Sequence, residues 1–442
     1  MSTTTTFFHS STPELSEQER QALRKAATSS FIGNFVEWFD YAAYGYLAAI
    51  IGKVFFPSSD PQTELIATFT VFAISFIIRP FGGIVWGYWG DRYGRRFALS
   101  WSILVMSAST FCIALIPSYT SIGIAAPILL LLVRMVQGFS ASGEYAGASA
   151  FLAEYAPKGK RGLYTSLVPA STATGLLMGS LLAALLYTVL SPEHLHSWGW
   201  RIPFLMAGPF GLVGRYIRLH LEDSPVYREM EAKMDKSKRS SNLPIQILLT
   251  KYRKEVLIAC GVVSLNAVAF YTTLSYMPTY LSSELGMSET HSFMASSVAL
   301  LAYIGFIFVM GHFSDLYGRK TMLTGACVLF ILLSVPLFAL LEQNHFAVSL
   351  FVMMSFGVIL AMNDGTLPGF LTEAFPTHLR FSGFALCFNM GNALLGGTSP
   401  LIATLLIKHT GSDLAPAWYL SGIAIIALIA LRFSQETANK KL

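Results

Sequence analysis

Gly87-Tyr-Trp-Gly-Asp91-Arg92-Tyr-Gly94-Arg95-Arg96 returns 224 residues later as Gly311-His-Phe-Ser-Asp315-Leu316-Tyr-Gly318-Arg319-Lys320. Each copy follows one long apolar run and precedes another. A second pair of anchors keeps nearly the same step: Glu154-x-x-Pro157-x-x-x-Arg161 recurs as Glu373-x-x-Pro376-x-x-x-Arg380, offset by 219. Two anchors in register make the chain a tandem repeat of two halves. In each copy glycines permit a tight turn, the aspartate can accept N–H groups from an exposed helix terminus, and the arginines can pair with a glutamate such as Glu154. The plain alternative is that these basic residues only anchor helix ends at a membrane surface.

Working outward, the 442 residues are 53% hydrophobic and only 12% charged, with a mean hydropathy of +0.54. Soluble globules and disordered chains are excluded, and the apolar runs are too long for barrel strands. A span needs about 20 apolar residues, so twelve would use about 240 and leave short loops. The runs fall near 29–52, 64–90, 97–117, 121–155, 162–190 and 200–220, then near 253–283, 290–313, 321–341, 346–374, 383–408 and 413–433. The fourth exceeds one straight span and is expected to bend at Gly138, Gly143 or Gly147. With the amino terminus inside, 25 of the 30 Lys and Arg lie on the inward side and only Lys53, Arg201 and Lys408 lie outside. Both termini are therefore expected in the cytoplasm. The expected organisation is a tail (1–28), a six-helix half (29–220), a central cytoplasmic loop (221–252), a second six-helix half (253–433) and a short tail (434–442).

The first residues are polar, with no apolar core behind a basic start, so a cleaved leader is not expected. Cys112, Cys260, Cys327 and Cys387 sit in apolar runs without metal-site or disulfide spacing, and read as small packing residues.

An ionisable group inside a span costs at least about 2.5 kcal/mol, which singles out Glu37, Asp40, Arg79, Arg134, Glu144 and Asp364. Asp40 and Arg134 lie at similar depths, about 18–20 Å from opposite ends of their helices. Glu37 has Arg79 as an alternative partner. A carboxylate beside a guanidinium is held deprotonated, and substrate binding to that arginine would free it to take a proton. Glu37, Asp40 and Glu144 are thus candidate proton-coupling residues, against the alternative of ion pairs that only fix helices. Asn34, Glu37, Tyr41 and Tyr44 share one helical face. With Trp38, Arg79, Arg134, Glu144 and the repeat-aligned Asn363 and Asp364, they form the candidate substrate site. The remaining tryptophans suit interfacial belts.

The Gly-x-x-x-Asp-Arg-x-Gly-Arg-Arg string resembles the signature of the major facilitator superfamily. That resemblance implies a twelve-helix all-α fold and a cytoplasmic gate latched by Gly87, Asp91, Arg92, Gly94, Arg95, Arg96, Glu154 and Arg161, and by Asp315, Arg319, Glu373 and Arg380. Leu316 replaces the first arginine in the second copy, which is expected to weaken that half of the network. Further stretches, Gly33-Asn34-Phe-Val-Glu37-Trp38-Phe39-Asp40-Tyr41, Ile78-Arg79-Pro80-Phe-Gly82-Gly83, Arg134-x-x-Gln137-Gly138, Gly143-Glu144-Tyr145-Ala-Gly147-Ala and Trp198-Gly-Trp200-Arg201-Ile-Pro203-Phe, resemble the metabolite:proton symporter branch. Tyr276-Met-Pro278-Thr-Tyr280-Leu, Phe375-Pro376-Thr377-His378-Leu-Arg380 and Glu436-Thr437-Ala438-Asn439 are most similar to ProP-type proline and glycine betaine transporters. Osmosensing members of that type carry a carboxy-terminal coiled coil. Only Ser434 to Leu442 follow the last helix here, so regulation by that device is not expected.

The expected function is proton-coupled uptake of a small zwitterion such as proline, glycine betaine or proline betaine, with a carboxylate such as citrate or α-ketoglutarate as the alternative. The sequence has no phosphate-cradling loop, metalloprotease helix or nucleophile elbow, so an ion gradient is the expected energy source and no cofactor or metal is expected. The partners expected are the substrate, protons and the lipid bilayer of a bacterial-type inner membrane, with the chain acting as a monomer. Nucleic acid is not expected, because the basic central loop alternates with acids where topology already requires positive charge.

Overall fold

The apolar runs become helices throughout residues 16–233, 243–438 and 440, which are those described by a computed structural model; no strand occurs among them. The long helices of the first half are α1 (Glu17–Tyr46), α2 (Ile66–Arg92), α3 (Arg95–Leu115), α4 (Ala125–Tyr155), α5 (Arg161–Val189) and α6 (Ile202–Leu219). Those of the second are α7 (Arg253–Glu284), α8 (Thr290–Tyr317), α9 (Arg319–Leu341), α10 (Phe346–Ala374), α11 (Thr377–Thr410) and α12 (Ala415–Arg432). Among the described residues ten of these, all but α1 and α6, are long and apolar enough to cross a bilayer. In α1 the deficit has a chemical origin, since its inner portion carries Glu37 and Asp40.

Two boundaries differ from the hydropathy reading. α1 begins at Glu17, well ahead of the apolar run, because Ser16 and Glu19 form a reciprocal capping box at its start. α11 begins with a short 3-10 turn at Thr377, tied into the gate described below. Residues 1–15, Lys236, Lys238, Arg239 and Asn439 lie outside the described residues. Short helices Pro225–Lys233 and Pro244–Lys251 lie in the central connection.

Within the first half α1 packs on α5 and α6, and α3 on α6; within the second, α7 and α9 pack on α12, and α8 on α10. The halves meet along α2 with α11 and α5 with α8. Glycines make both seams possible. A Cβ on Gly87 would stand 2.6 Å from the Ser382 Cα, and one on Gly311 would stand 2.7 Å from the Gly162 carbonyl oxygen. Gly94 and Gly318, with φ of 100° and 94°, turn the chain between α2 and α3 and between α8 and α9.

α4 is interrupted at Ser142–Gly143, between Ala125–Ala141 and Glu144–Tyr155. α10 is interrupted at Gly365–Thr366. α7 loosens into a π-turn at Tyr271–Tyr276, a departure that frees backbone and redirects side chains near the molecular centre. Trp86 and Trp200, expected in an interfacial belt, are instead buried; the Trp86 indole donates to the Phe139 carbonyl at 3.0 Å and ties α2 to α4.

Candidate functional site

Both copies of the repeated loop close the seam between the halves in the same way. Asp91 accepts the backbone N–H groups of Phe381 (3.2 Å) and Ser382 (2.9 Å) in the first turn of α11. Asp315 accepts those of Gly162 (2.8 Å) and Leu163 (2.9 Å) in the first turn of α5. Each carboxylate thus meets orphan donors at the positive end of a helix from the opposite half. Arg95 holds Asp91 at 3.0 Å and Glu154 at 3.2 Å, and Arg380 reaches Glu154 across the seam at 2.6 Å. Its counterpart Arg319 holds Asp315 at 2.9 Å and Glu373 at 3.2 Å, while Arg161 crosses to Glu373 at 3.5 Å.

This arrangement corrects one expectation. Arg92 is exposed, and its guanidinium bonds to its helix neighbour Tyr88, outside the latch, while its carbonyl accepts from the Tyr227 hydroxyl at 3.1 Å. Leu316 at the matching place is likewise exposed, so the substitution removes nothing from the second network. Arg96 contributes its backbone N–H rather than its guanidinium.

Four further residues join these contacts, Asp223 and Ser224, which the sequence reading passed over, and Glu436 and Thr437, which it quoted only for their resemblance. Asp223, after α6, accepts from the N–H of Arg95 at 3.1 Å, and Ser224 bonds to Glu154. Glu436, after α12, accepts from the N–H of Arg319 at 2.8 Å and of Lys320 at 3.0 Å, and Thr437 bonds to Glu373 at 2.9 Å. An acid followed by a hydroxyl residue, 213 positions apart, was the signal: a third repeat anchor.

Deeper in the first half, two ion pairs hang from α1. Glu37 pairs with Arg79, whose guanidinium also donates to the Tyr41 hydroxyl at 2.8 Å and lies over the Phe76 ring at 4.7 Å. Asp40 pairs with Arg134 at 2.7 Å and accepts from the Gln137 amide. Arg134 lies 3.7 Å from the centre of the Tyr44 ring. In each pair one carboxylate oxygen, Glu37 Oε2 or Asp40 Oδ1, is buried with no hydrogen-bond partner.

Other predicted residues are placed elsewhere. Glu144 is bound by Arg218 of α6 and by Ser102 of α3, against Gly33, inside the first half rather than between the halves. Arg218 had been explained as a positive-inside anchor. Asn34 spends its amide on Val168, Ser171 and Thr172 of α5, at 2.7–2.9 Å. Asn363 is buried with an unpartnered Oδ1.

Asp364 faces the centre. Its oxygens accept from Asn266 Nδ2 and the Tyr303 hydroxyl, each at 2.6 Å. It lines a cavity with Trp38 and Tyr145 of the first half and Asn266, Phe270, Tyr303, Phe388 and Asn392 of the second. Among the described residues no cluster of three or more His, Cys, Asp or Glu can hold a metal ion.

A Major Facilitator Superfamily profile matches residues 30–398. This chain belongs to that superfamily. Its relatives within the superfamily include the glycine betaine/proline/ectoine/pipecolic acid transporter OusA of Dickeya dadantii (strain 3937), 40% identical over 428 residues, 95% of this chain and 85% of the relative. A proline/betaine transporter of Escherichia coli (strain K12) is 40% identical over 429 residues, again 95% and 85%. Among solved major facilitator structures, the proton:xylose symporter XylE with bound 6-bromo-6-deoxy-D-glucose superposes with a TM-score of 0.79 over 96% of this chain and 98% of that one, at 17% identity. The paired contacts thus lie at one end of the seam between the halves of a major facilitator fold, and that end is closed.

One variant tests the latch. Asp91→Asn keeps an acceptor oxygen but loses the charge, costing about 1–2 kcal/mol and shifting the closed seam roughly tenfold toward open. In a chain whose native cysteines are replaced, maleimide labelling of Ser166→Cys is expected to quicken by that factor, with uptake reduced. Unchanged labelling and uptake would make Asp91 an ordinary loop residue.

Proposed function

We propose that the chain is a proton-coupled symporter for a small zwitterionic osmolyte such as glycine betaine, proline betaine or proline. In this reading it is a monomer with twelve spans and both termini cytoplasmic, in a bacterial-type inner membrane. The observation that carries the reading is the pair of buried carboxylate–arginine contacts on α1, each with a carboxylate oxygen left unbonded.

A substrate carboxylate that engages Arg79 replaces Glu37 as its counter-ion. Glu37 is then a buried acid without a cation, and the low dielectric leaves it stable only when protonated. Substrate and proton therefore bind together, and because the zwitterion carries no net charge, each cycle moves the single positive charge of the proton across the membrane. Asp40 of α1 and Arg134 of α4, braced by Gln137, can repeat the exchange or hold α1 in place. The relatives named for glycine betaine and proline support the choice of a zwitterion.

The test is uptake into proteoliposomes with an imposed gradient, acidic outside. Radiolabelled glycine betaine or proline is expected to accumulate, and a protonophore is expected to abolish accumulation. Uptake that ignored the protonophore, or required only sodium, would overturn proton coupling. Citrate outcompeting betaine would favour the carboxylate reading.

A further inference from the structure

Among the described residues, four carboxylates are buried in the spans away from the gate, and three of them have an arginine: Glu37 has Arg79, Asp40 has Arg134 and Glu144 has Arg218. The fourth, Asp364, is 1% exposed and is held only by the neutral Asn266 amide and Tyr303 hydroxyl. Among the described residues it makes no ion pair. A carboxylate buried at that depth is costly without a counter-charge, and conserving its charge there has a use only if a cation comes to it.

What faces Asp364 indicates the kind of cation. With the seam closed, the cavity is about 10 Å³, room for one water, and is bounded by rings that must move slightly apart to admit a larger cation. Trp38 of α1 meets Phe270 of α7 edge-on, centroids 5.3 Å apart, and Tyr145 of α4 stacks on Phe388 of α11 at 4.2 Å. Tyr303 closes the side next to the carboxylate. The other hydrogen-bonding groups on the wall, from Trp38, Tyr145, Thr172, Asn266 and Asn392, are neutral, and the buried Trp38 indole N–H has no partner. A primary ammonium would want three acceptors. A methylated ammonium has no proton to donate, and finds instead aromatic faces and one anionic field.

We propose that the methylated ammonium of the substrate binds in this cavity, enclosed by Trp38, Tyr145, Phe270, Tyr303 and Phe388, with the Asp364 carboxylate as its counter-charge. The proposal rests on the zwitterion reading above and assigns that substrate's cationic end to the second half. The carboxylate end has a direction. Tyr271, with a buried hydroxyl lacking a partner, has its ring 5.5 Å from Phe270 and 6.1 Å from Phe76, the ring beneath Arg79. The box therefore adjoins the Arg79–Glu37 pair across the seam. Because α1 and α4 supply two rings and α7, α8 and α11 the others, the box is complete only while the halves are together at this level, and a bound cation favours that state.

The experiment measures binding to the purified full-length protein in nanodiscs. Glycine betaine is compared with 3,3-dimethylbutanoate, which replaces the trimethylammonium by an uncharged tert-butyl group of the same shape. Wild type is expected to prefer betaine strongly. Asp364→Asn is expected to weaken betaine on the order of a hundredfold without weakening the tert-butyl analogue, a monoanion with no cationic end. Trp38→Leu, which keeps an apolar wall, is expected to weaken betaine about thirtyfold through lost cation–π attraction, again sparing the analogue. A preference for betaine that survives both substitutions would overturn the cavity assignment while leaving the zwitterion reading intact. Wild-type protein that binds neither betaine nor proline would remove both. Equal losses for the two ligands in each variant would also overturn the assignment, because packing and not charge would then be responsible.

Discussion

Gly311→Val is expected to abolish concentrative uptake, lowering it at least about a hundredfold, in a protein that still inserts and elutes as a single species. The cause is steric. A Cβ at Gly311 already meets the Gly162 carbonyl oxygen at 2.7 Å and the Ser166 side chain at 2.7–2.8 Å. Valine adds two methyls to that contact, and the nearest obstacle is backbone, which yields only if α5 and α8 separate. Separation pulls Asp315 off the N–H groups of Gly162 and Leu163 and takes Arg161 away from Glu373. A cost of about 3 kcal/mol or more in the closed seam suffices for the hundredfold effect. Cysteine labelling gives the direct readout. Ser382, on the other seam and buried beside Gly87, is expected to become labelled from the cytoplasmic side once cysteine replaces it. Wild-type uptake, or a Ser382→Cys probe that stays protected, would show that this glycine contact does not govern closure.

Glu37→Gln carries the other large effect. Glutamine keeps the size of the side chain and an oxygen for Arg79, but it neither neutralises that guanidinium nor takes a proton. Accumulation driven by an imposed pH gradient is expected to fall to the level of passive equilibration. Counterflow between labelled and unlabelled betaine, which needs alternation without net proton movement, is expected to persist. The split between the two assays separates coupling from folding. A variant that accumulates substrate like wild type would reduce the Glu37–Arg79 pair to a fixture joining α1 to α2.

The sequence and the structure agree most closely where one physical rule dominates. Hydropathy placed α2 to α5 and α7 to α10 within a few residues, because the bilayer demands about 20 apolar residues per span whatever the side chains do afterwards. The repeated loops foretold that Asp91 and Asp315 would have matching surroundings, because repetition in sequence is repetition in space. Pairing across helices was less legible. Glu144 looked equivalent to a cavity acid, but helix rotation about its axis is not written in hydropathy, and Arg218, its partner, already had a sufficient explanation as an inward-side charge. Asp223 and Ser224 were overlooked, and Glu436 and Thr437 were not assigned to the gate, because each lies just past a helix end, where acids and hydroxyls ordinarily face water. The rings of Phe270, Tyr303 and Phe388 were indistinguishable from packing aromatics until α7, α8 and α11 were set against α1 and α4. Trp38 was the exception, set apart in the sequence from the interfacial tryptophans, and it lines the same cavity.

Proton movement with substrate is the central claim, and the most direct measurement is the pH of a lightly buffered suspension of proteoliposomes when glycine betaine is added. Symport predicts a transient alkalinisation of the outer medium that scales with betaine uptake, is absent with Glu37→Gln and is collapsed by a protonophore. Betaine uptake into wild-type vesicles with no change in external pH would contradict the account.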